Sequence, residues 1–298
     1  MIFIILIHMK LNLFKINIEK WVPHGKRFMR ISLVIFLCLA LTETTHAGFE
    51  KQQQSARGVG LGNALTAHSI GVGSLFYNPS LLAATTNRQF MFFYSPLPLG
   101  VSEFSTVAAG FVEPFSFGKI GLSVQTSGFD LYREVGVGLS YAHSFYGLNA
   151  GITINYNSLS IEQYGSTGVV SFDLGNSAPI TSQIQAGAMV YNLNRPRLGI
   201  QKEALPLIFT AGLSYQPIEE IILLADVHQD IHYPMMFRAG VQYSPLEFLH
   251  VRIGNTTEPS RFSAGLGLEY SAIEFDYAFQ THSELSDAHS FSIHYRFD

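Results

Sequence analysis

From about residue 88 to residue 297 apolar and small or polar residues alternate with a period of two, in runs of about nine to eleven residues. Phe262, Ala264, Leu266, Leu268 and Tyr270 share one face against Ser263, Gly265, Gly267 and Glu269, and Leu148, Ala150, Ile152, Ile154 and Tyr156 oppose Asn149, Gly151, Thr153, Asn155 and Asn157. A soluble sandwich alternates too, with its polar face in water. Its strands, however, usually run about five or six residues, whereas a tilted strand crossing a bilayer needs about 9–11. The non-apolar faces are rich in Gly, Ser, Thr, Asn and Gln and poor in Lys, which suits a barrel interior better than a solvated sheet. Fourteen such runs are centred near residues 91, 108, 122, 138, 153, 170, 187, 210, 223, 239, 251, 266, 276 and 293. Over positions 88–297 this leaves 15 residues per strand with its connection, the economy of an up-and-down meander. The fold class expected is all-β: a 14-stranded antiparallel transmembrane β-barrel, with both termini on the periplasmic side.

Composition agrees. The 298 residues carry only 13 % charged and 47 % hydrophobic residues, with net charge −4 and mean hydropathy +0.21. A nucleic-acid binder needs a basic face and a disordered chain needs high charge with few aromatics, so both classes are excluded. A helical membrane protein needs apolar runs of roughly 18 residues or more. In the apolar N-terminal region the longest stretch free of formal charge is Ile31 to Thr42.

That region reads as a secretory signal: basic Lys26 to Arg30, an apolar core from Ile31 to Leu41, and Thr45-His46-Ala47 before Gly48. Met29 is an alternative start. The single cysteine, Cys38, lies inside the signal core, preceded by Leu37, and is not read as a lipid-attachment site. Removal of 1–47 leaves a cysteine-free chain with 12 Lys and Arg against 20 Asp and Glu. An exported protein without disulfides fits a bacterial envelope, and the location expected is the outer membrane.

Tyr215, Tyr243, Tyr270 and Phe297 close alternate strands at intervals of 28, 27 and 27, and Tyr141 closes an earlier one. On the apolar face at the periplasmic rim they would form an aromatic girdle, each with an apolar body and a polar or edge-on tip at the interface. Ordinary strand-end aromatics are the plainer reading. The last strand, ending Tyr295-Arg296-Phe297-Asp298, is similar to the C-terminal signal read by the outer-membrane barrel assembly machinery, with Asp298 after the usual terminal aromatic.

Residues 48–87 do not alternate. Ala56-Arg57-Gly58-Val59-Gly60-Leu61-Gly62-Asn63-Ala64 leads to Leu75-Phe76-Tyr77-Asn78-Pro79-Ser80-Leu81-Leu82. The glycines are not a dinucleotide fingerprint, because Asn63 occupies its last position and no strand precedes it. Gly58, Gly60, Gly62, Asn63, Asn78 and Pro79 instead resemble the N-terminal segment of FadL-like outer-membrane proteins, in particular the PorV/PorQ branch. There a small-residue helix is followed by an Asn-Pro-Ala-x-Leu element; here Ser80 replaces the Ala. The resemblance implies fourteen strands and a helical hatch at 48–87, ahead of a barrel at 88–298. It also implies a role either in passage of hydrophobic small molecules or beside the type IX secretion apparatus, with outer-membrane lipids, the assembly machinery, hydrophobic solutes or secretion proteins as partners. A fourteen-strand lumen is too wide for side chains alone to fill, which makes a hatch physically reasonable. A flexible periplasmic lead is the bland alternative.

Other chemistry is sparse. His228, Asp230 and His232, with Asp226, lack a third ligand fixed by spacing and read as a polar outer loop; His282 and His289 fare no better. Asp226, Arg238, Arg252, Glu269, Glu274, Asp276 and Arg296 are expected to face the lumen as cross-strand pairs, since unpaired burial would be costly. No cofactor or metal is expected. Barrel-wall acyl hydrolases use Ser and His, but no G-x-S-x-G elbow is present, so no enzyme is expected. The outer connections are short, the longest spanning about Asn192 to Ala204, which favours a scaffold or accessory barrel over a loop-capturing transporter. A transporter predicts a continuous apolar tunnel behind the hatch.

Overall fold

The computed structural model describes residues 54–96, 98, 102–199, 203–281 and 286–297. The signal expected over 1–47, with Cys38, and the first residues of the expected hatch lie outside them, as does His282.

Fourteen strands close into one barrel. They are β1 Gln89–Ser95, β2 Thr106–Phe115, β3 Gly118–Phe129, β4 Tyr132–Phe145, β5 Leu148–Ile161, β6 Gly165–Pro179 and β7 Ile184–Tyr191. There follow β8 Ile208–Ile218, β9 Ile221–Asp230, β10 Met236–Leu246, β11 Leu249–Thr257, β12 Ser260–Tyr270, β13 Ile273–Gln280 and β14 Ala288–Arg296. Every strand pairs antiparallel with its neighbours in sequence, and β14 returns to β1 with Phe90 opposite Tyr295 and Phe92 opposite Ile293. No free edge remains, which is the condition for strands in hydrocarbon.

Because side chains alternate across the wall, one register sorts the whole composition. Leu122, Leu139, Ile154, Leu213, Phe237 and Leu268 point outward and are exposed, while Ser140, Thr153, Ser171, Arg252, Ser263 and Asp276 point inward and are buried. The exposed apolar belt is a surface for lipid, since a contiguous patch of this extent would aggregate in water.

Both ends of the barrel chain lie at one rim, called here the terminal rim. Its turns are tight: two residues at Ser116-Phe117, Tyr146-Gly147, Glu219-Glu220, Glu247-Phe248 and Ser271-Ala272. Tyr146 (φ 51°) and Gly147 (φ 87°) are both left-handed, as a type I′ hairpin requires.

Three details differ from the sequence expectation. The strands run from 7 to 15 residues rather than nine to eleven, because the β4, β5 and β6 hairpins continue beyond the neighbouring strands. Strands β4, β8 and β10 continue three or four residues past Tyr141, Tyr215 and Tyr243, so these aromatics lie inside the strand ends rather than closing them. The longest connection runs from 192 to 207, since Leu205 N–H bonds back to the Pro196 carbonyl and delays the start of β8. It carries a small ribbon, Arg197–Leu198 with Glu203–Ala204.

Strand β7 stops at Tyr191 because Asn192 turns left-handed at φ 53°. The exposed edge of β6 is then completed by a side chain. Asn194 Oδ1 accepts from Phe172 N (3.1 Å) and Asn194 Nδ2 donates to the Val170 carbonyl (2.9 Å).

Candidate functional site: the N-terminal segment inside the barrel

Residues 54–88 are packed against the inner wall. A five-residue helix, α1 Ala56–Gly60, is capped by Ser55, whose Oγ accepts from Gly58 N. Two 3₁₀ turns follow, Gly71–Phe76 and Pro79–Ala84. Asn78 caps the second, accepting from Ser80 N with Pro79 at the first helical position, where its missing N–H costs nothing.

Apolar contact reaches the wall at β1 and β2 and again across the barrel at β9. Leu61, Leu65, Val72, Leu75 and Leu82 form a buried cluster with the inward-facing Met91, Phe93, Val112 and Leu224. This explains why β1 is apolar on both faces: Phe90, Phe92 and Tyr94 meet lipid while Met91 and Phe93 meet the segment.

Elsewhere the segment touches the wall backbone to backbone. The Cα of Gly60 lies 3.2 Å from where a Cβ would stand on Gly265, and a Cβ on Gly254, Gly187 or Gly151 would overlap the backbone of Gly62, Thr66 or Ser80. Gly62 (φ 62°) and Asn63 (φ 59°) are both left-handed, turning the chain away from α1. Asn63 Oδ1 accepts from the Tyr77 hydroxyl (3.0 Å), which fixes that turn to the second half of the segment. Burial raises the Tyr77 pKa, so the phenol stays neutral and able to donate.

Three polar clasps hold the segment. At the first, Arg57 pairs with Glu274 and lies 3.8 Å from Asp276, both on β13. Arg252 on β11 meets the same carboxylates, 2.5 Å to Asp276 and 3.2 Å to Glu274, and its Nε donates to Gln242 (2.7 Å). His294 on β14 approaches Asp276 at 3.3 Å. Burial disfavours the Arg57 charge, yet attraction to Glu274 and Asp276 outweighs it and raises the pKa. At the second clasp, Asp226 Oδ2 accepts from Thr66 N (2.9 Å) and Thr66 Oγ1 (2.7 Å). Arg238, opposite Asp226 in the sheet, reaches the Asn63 carbonyl at 3.5 Å. At the third, Asn78 Nδ2 donates to the carbonyls of Thr66 (2.7 Å) and Asn176 (3.1 Å).

Glu269 and Arg296 pair with each other near the terminal rim, apart from these clasps. Tyr141, Tyr215, Tyr243 and Tyr270 are outward and exposed, and the Tyr141 hydroxyl donates to the Phe117 carbonyl at 2.7 Å. Phe297 lies beyond β14, edge-on to Tyr295. His228 and Asp230 are not in an outer loop as expected: both belong to β9 and point inward, because that strand extends to Asp230 before turning, and only His232 is exposed. Among the described residues no group of three His, Cys, Asp or Glu side chains is placed to hold a metal ion.

Sequence reasoning missed Arg57, whose partners are more than 200 residues away, and Gln54 and Thr66. A usable signal was present in the inward glycines. Gly187, Gly212, Gly240, Gly254 and Gly265 sit on five strands where the segment presses closest, and strand glycine often marks close approach by another backbone.

A cavity of about 110 Å³ lies on the far side of the segment from the terminal rim, with Leu75 and Phe76 below and Gln125, Glu134, Asn155 and Asp173 around it. Its wall is polar, not the apolar tunnel that a transporter predicts, because it is formed by the inward faces of β3 to β6. It is also smaller than the roughly 300–1,000 Å³ of ordinary ligand pockets.

His68 supplies a pH readout for this packing. Its Nδ1 lies 3.4 Å from Ser214 Oγ, and burial, then the charges of Arg57 and Arg252, lower its pKa to about 4. In the unfolded chain the ring titrates near 6.5. Between these values the unfolded state binds the extra proton, so the contribution of a neutral His68 is complete above pH 6.5 and is lost as pH falls toward about 4. The urea midpoint of the refolded barrel is expected to drop across that window, and His68→Gln is expected to flatten the drop. An unchanged slope in the variant would assign the acid sensitivity elsewhere.

No known family profile and no curated protein matches the sequence. Solved structures do match the fold. The toluene transporter TodX of Pseudomonas putida superposes with a TM-score of 0.61 at 12 % identity, over 82 % of this chain and 98 % of TodX. A FadL homologue of Pseudomonas aeruginosa superposes with a TM-score of 0.58 at 13 % identity, over 85 % of this chain and 100 % of that one. At such identities the likeness is one of fold: the chain is a closed, 14-stranded barrel of the outer-membrane type with a FadL-like architecture.

Proposed function

We propose that this chain is an outer-membrane channel for small hydrophobic compounds, with its N-terminal segment as the hatch. The observation that carries the reading is the packing of residues 54–88 inside a barrel of FadL-like fold, held by three polar clasps and glycine contacts rather than by covalent or strand pairing. Such contacts can be exchanged without opening the wall. TodX, whose fold this chain shares, is a toluene transporter, and toluene is therefore the first compound to try. The inward charged residues serve here as hatch clasps and lumen pairs, and the outward tyrosines as an interfacial girdle.

Deletion of residues 48–87 tests the reading directly. In planar bilayers the deleted barrel is expected to show discrete open-channel conductance where the full chain is nearly silent, and proteoliposomes carrying the full chain are expected to take up toluene faster than empty liposomes. Equal conductance before and after deletion removes the hatch.

A second reading, a PorV/PorQ-type barrel beside the type IX secretion apparatus, is favoured by the short connections. The turns between β3 and β4, β5 and β6, β9 and β10, and β11 and β12 have at most five residues, against the longer connections 96–105, 192–207 and 281–287, which leaves little surface for capturing solutes over much of that rim. It predicts a stable protein partner on pull-down and no effect of the gene's loss on hydrophobic-solute uptake.

A further inference from the structure

Toward the terminal rim, beside the first clasp, a serine, a histidine and a glutamate from three successive strands stand in line. His250 on β11 and Glu269 on β12 share the inward face with Arg252 and Glu274, His250 lying opposite Gly267 and Glu269 opposite Glu274. Ser244 follows Tyr243 on β10, and its Oγ is 2.9 Å from His250 Nδ1. His250 Nε2 is 3.8 Å from Glu269 Oε2, and Glu269 is held in turn by Arg296. The direction of each hydrogen in this line follows from its buried end. Arg252 can only donate, so Gln242 turns its Oε1 to Arg252 Nε (2.7 Å) and its Nε2 to Ser244 Oγ (3.4 Å). Ser244 therefore accepts from the amide, and its own hydrogen is left for His250 Nδ1. With Nδ1 accepting, the neutral ring carries its hydrogen on Nε2, toward the carboxylate of Glu269, which can only accept. Nucleophile, base and orienting acid thus stand in the order that an activated hydroxyl requires. His250 and Glu269 keep 14 % and 30 % of their side-chain surface exposed, so a small molecule can reach them.

We propose that this line is a hydrolytic site for small carboxylic esters, with Ser244 as nucleophile, His250 as general base and Glu269 as the positioning residue that holds the imidazole. Ser244 Oγ bonds to the ester carbonyl carbon while its proton passes to His250 Nδ1, and Gln242 Nε2 donates to the oxyanion that forms. The bond from carbon to the alkoxy oxygen then breaks; the electron pair stays on that oxygen, which takes the proton from Nδ1 and leaves as the alcohol. Water adds to the acyl-serine by the same route, giving its proton to Nδ1, and the Ser244 oxygen leaves with that proton, so the sum is ester plus water to acid plus alcohol. The substrate class follows from the site. One amide donor stabilises an oxyanion modestly, which suits esters rather than the more resistant amides, and the inner wall serves a water-borne substrate rather than a lipid on the outer belt. The activity is separate from the channel and needs no movement of the hatch.

Two measurements on the full chain in detergent micelles decide it. The first is hydrolysis of p-nitrophenyl acetate, where Ser244→Ala and His250→Ala are each expected to lower kcat/KM by about a hundredfold or more. Glu269→Gln is expected to lower kcat by about tenfold or more with KM little changed, because the carboxylate holds the ring and does not touch the ester. Glu269→Asp should recover part of that loss. The second is labelling by a fluorophosphonate, whose phosphorus bonds to an activated serine oxygen as fluoride leaves; peptide mass spectrometry is expected to find the label on Ser244. Hydrolysis as fast in a folded Ser244→Ala barrel as in the unaltered chain overturns the site, and so does an unlabelled Ser244. If the Ser244→Ala chain does not fold, as read by heat-modifiable gel mobility, the labelling of the unaltered chain decides alone. Neither readout involves toluene flux or conductance, so the channel and the hydrolytic site stand or fall separately.

Discussion

Replacing Arg252 with alanine is expected to cost the folded barrel about 3–5 kcal/mol, the range for breaking a buried ion pair from one side. Arg252 is 1 % exposed and, among the described residues, is the only side chain that links Gln242 on β10 to both Asp276 and Glu274 on β13, reaching across β12 to do so. Gly267 on that intervening strand leaves the space its guanidinium occupies. Without it, Asp276, fully buried, keeps among the described residues only Arg57 at 3.8 Å and His294 at 3.3 Å. The loss is measured as a lower urea midpoint, followed by heat-modifiable gel mobility. Arg252→Met should behave much like alanine despite filling more volume, because the penalty lies in the stranded carboxylates. Pairing Arg252→Met with Asp276→Asn should recover part of it, since one stranded carboxylate is removed together with its cation while Glu274 keeps Arg57. A single-variant loss below about 1 kcal/mol would mean that water screens the cluster as it screens surface pairs.

The same cluster shows where sequence reading reaches and where it stops. Alternation placed Arg252, Glu274 and Asp276 on one face of their strands, because period two is a local property of the backbone. It could not say that Arg252 crosses β12, since that depends on register and on a glycine in another strand, Gly267. Nor could it bring in Arg57, which belongs to a segment with no period at all. Fourteen strand centres were legible for the same local reason, while strand ends were not. Tyr141 and Tyr215 read as terminators because a turn follows, yet pairing with β5 and β9 carries each strand three or four residues further. The Asn78-Pro79 element was legible as a helix start because capping is written in two adjacent residues. Its second task, donating to Thr66 and Asn176 carbonyls, is tertiary and leaves no local trace. The inward glycines were read as suiting a lumen; their closer meaning is that another backbone lies against them.

That meaning yields the largest functional effect. Gly254→Val is expected to displace the segment and open the lumen, leaving the wall intact. Gly254 pairs with Gly240 on β10 and Ser263 on β12, and a β-branched residue favours that extended pairing. On the inner side, however, its Cβ would overlap Gly62 N, and at Gly240 opposite a Cβ would stand 2.5 Å from the Leu61 carbonyl oxygen. These are backbone atoms at a left-handed turn, so neither a rotamer change nor a side-chain shift relieves the contact. Overpacking of an ordinary core costs about 1–3 kcal/mol and is absorbed by small movements. Here the movement available is withdrawal of the turn, which strains the Thr66–Asp226 clasp next in sequence. Gly187→Val, directed at the Thr66 carbonyl, attacks that clasp itself, and the double variant should open further than either alone. Planar-bilayer recordings are expected to show open-channel steps in Gly254→Val that the unaltered chain lacks. Ala264→Val, whose side chain faces outward on the neighbouring strand, should leave the barrel closed. A folded Gly254→Val barrel that stays silent would mean that the Gly62 turn is not what closes the lumen.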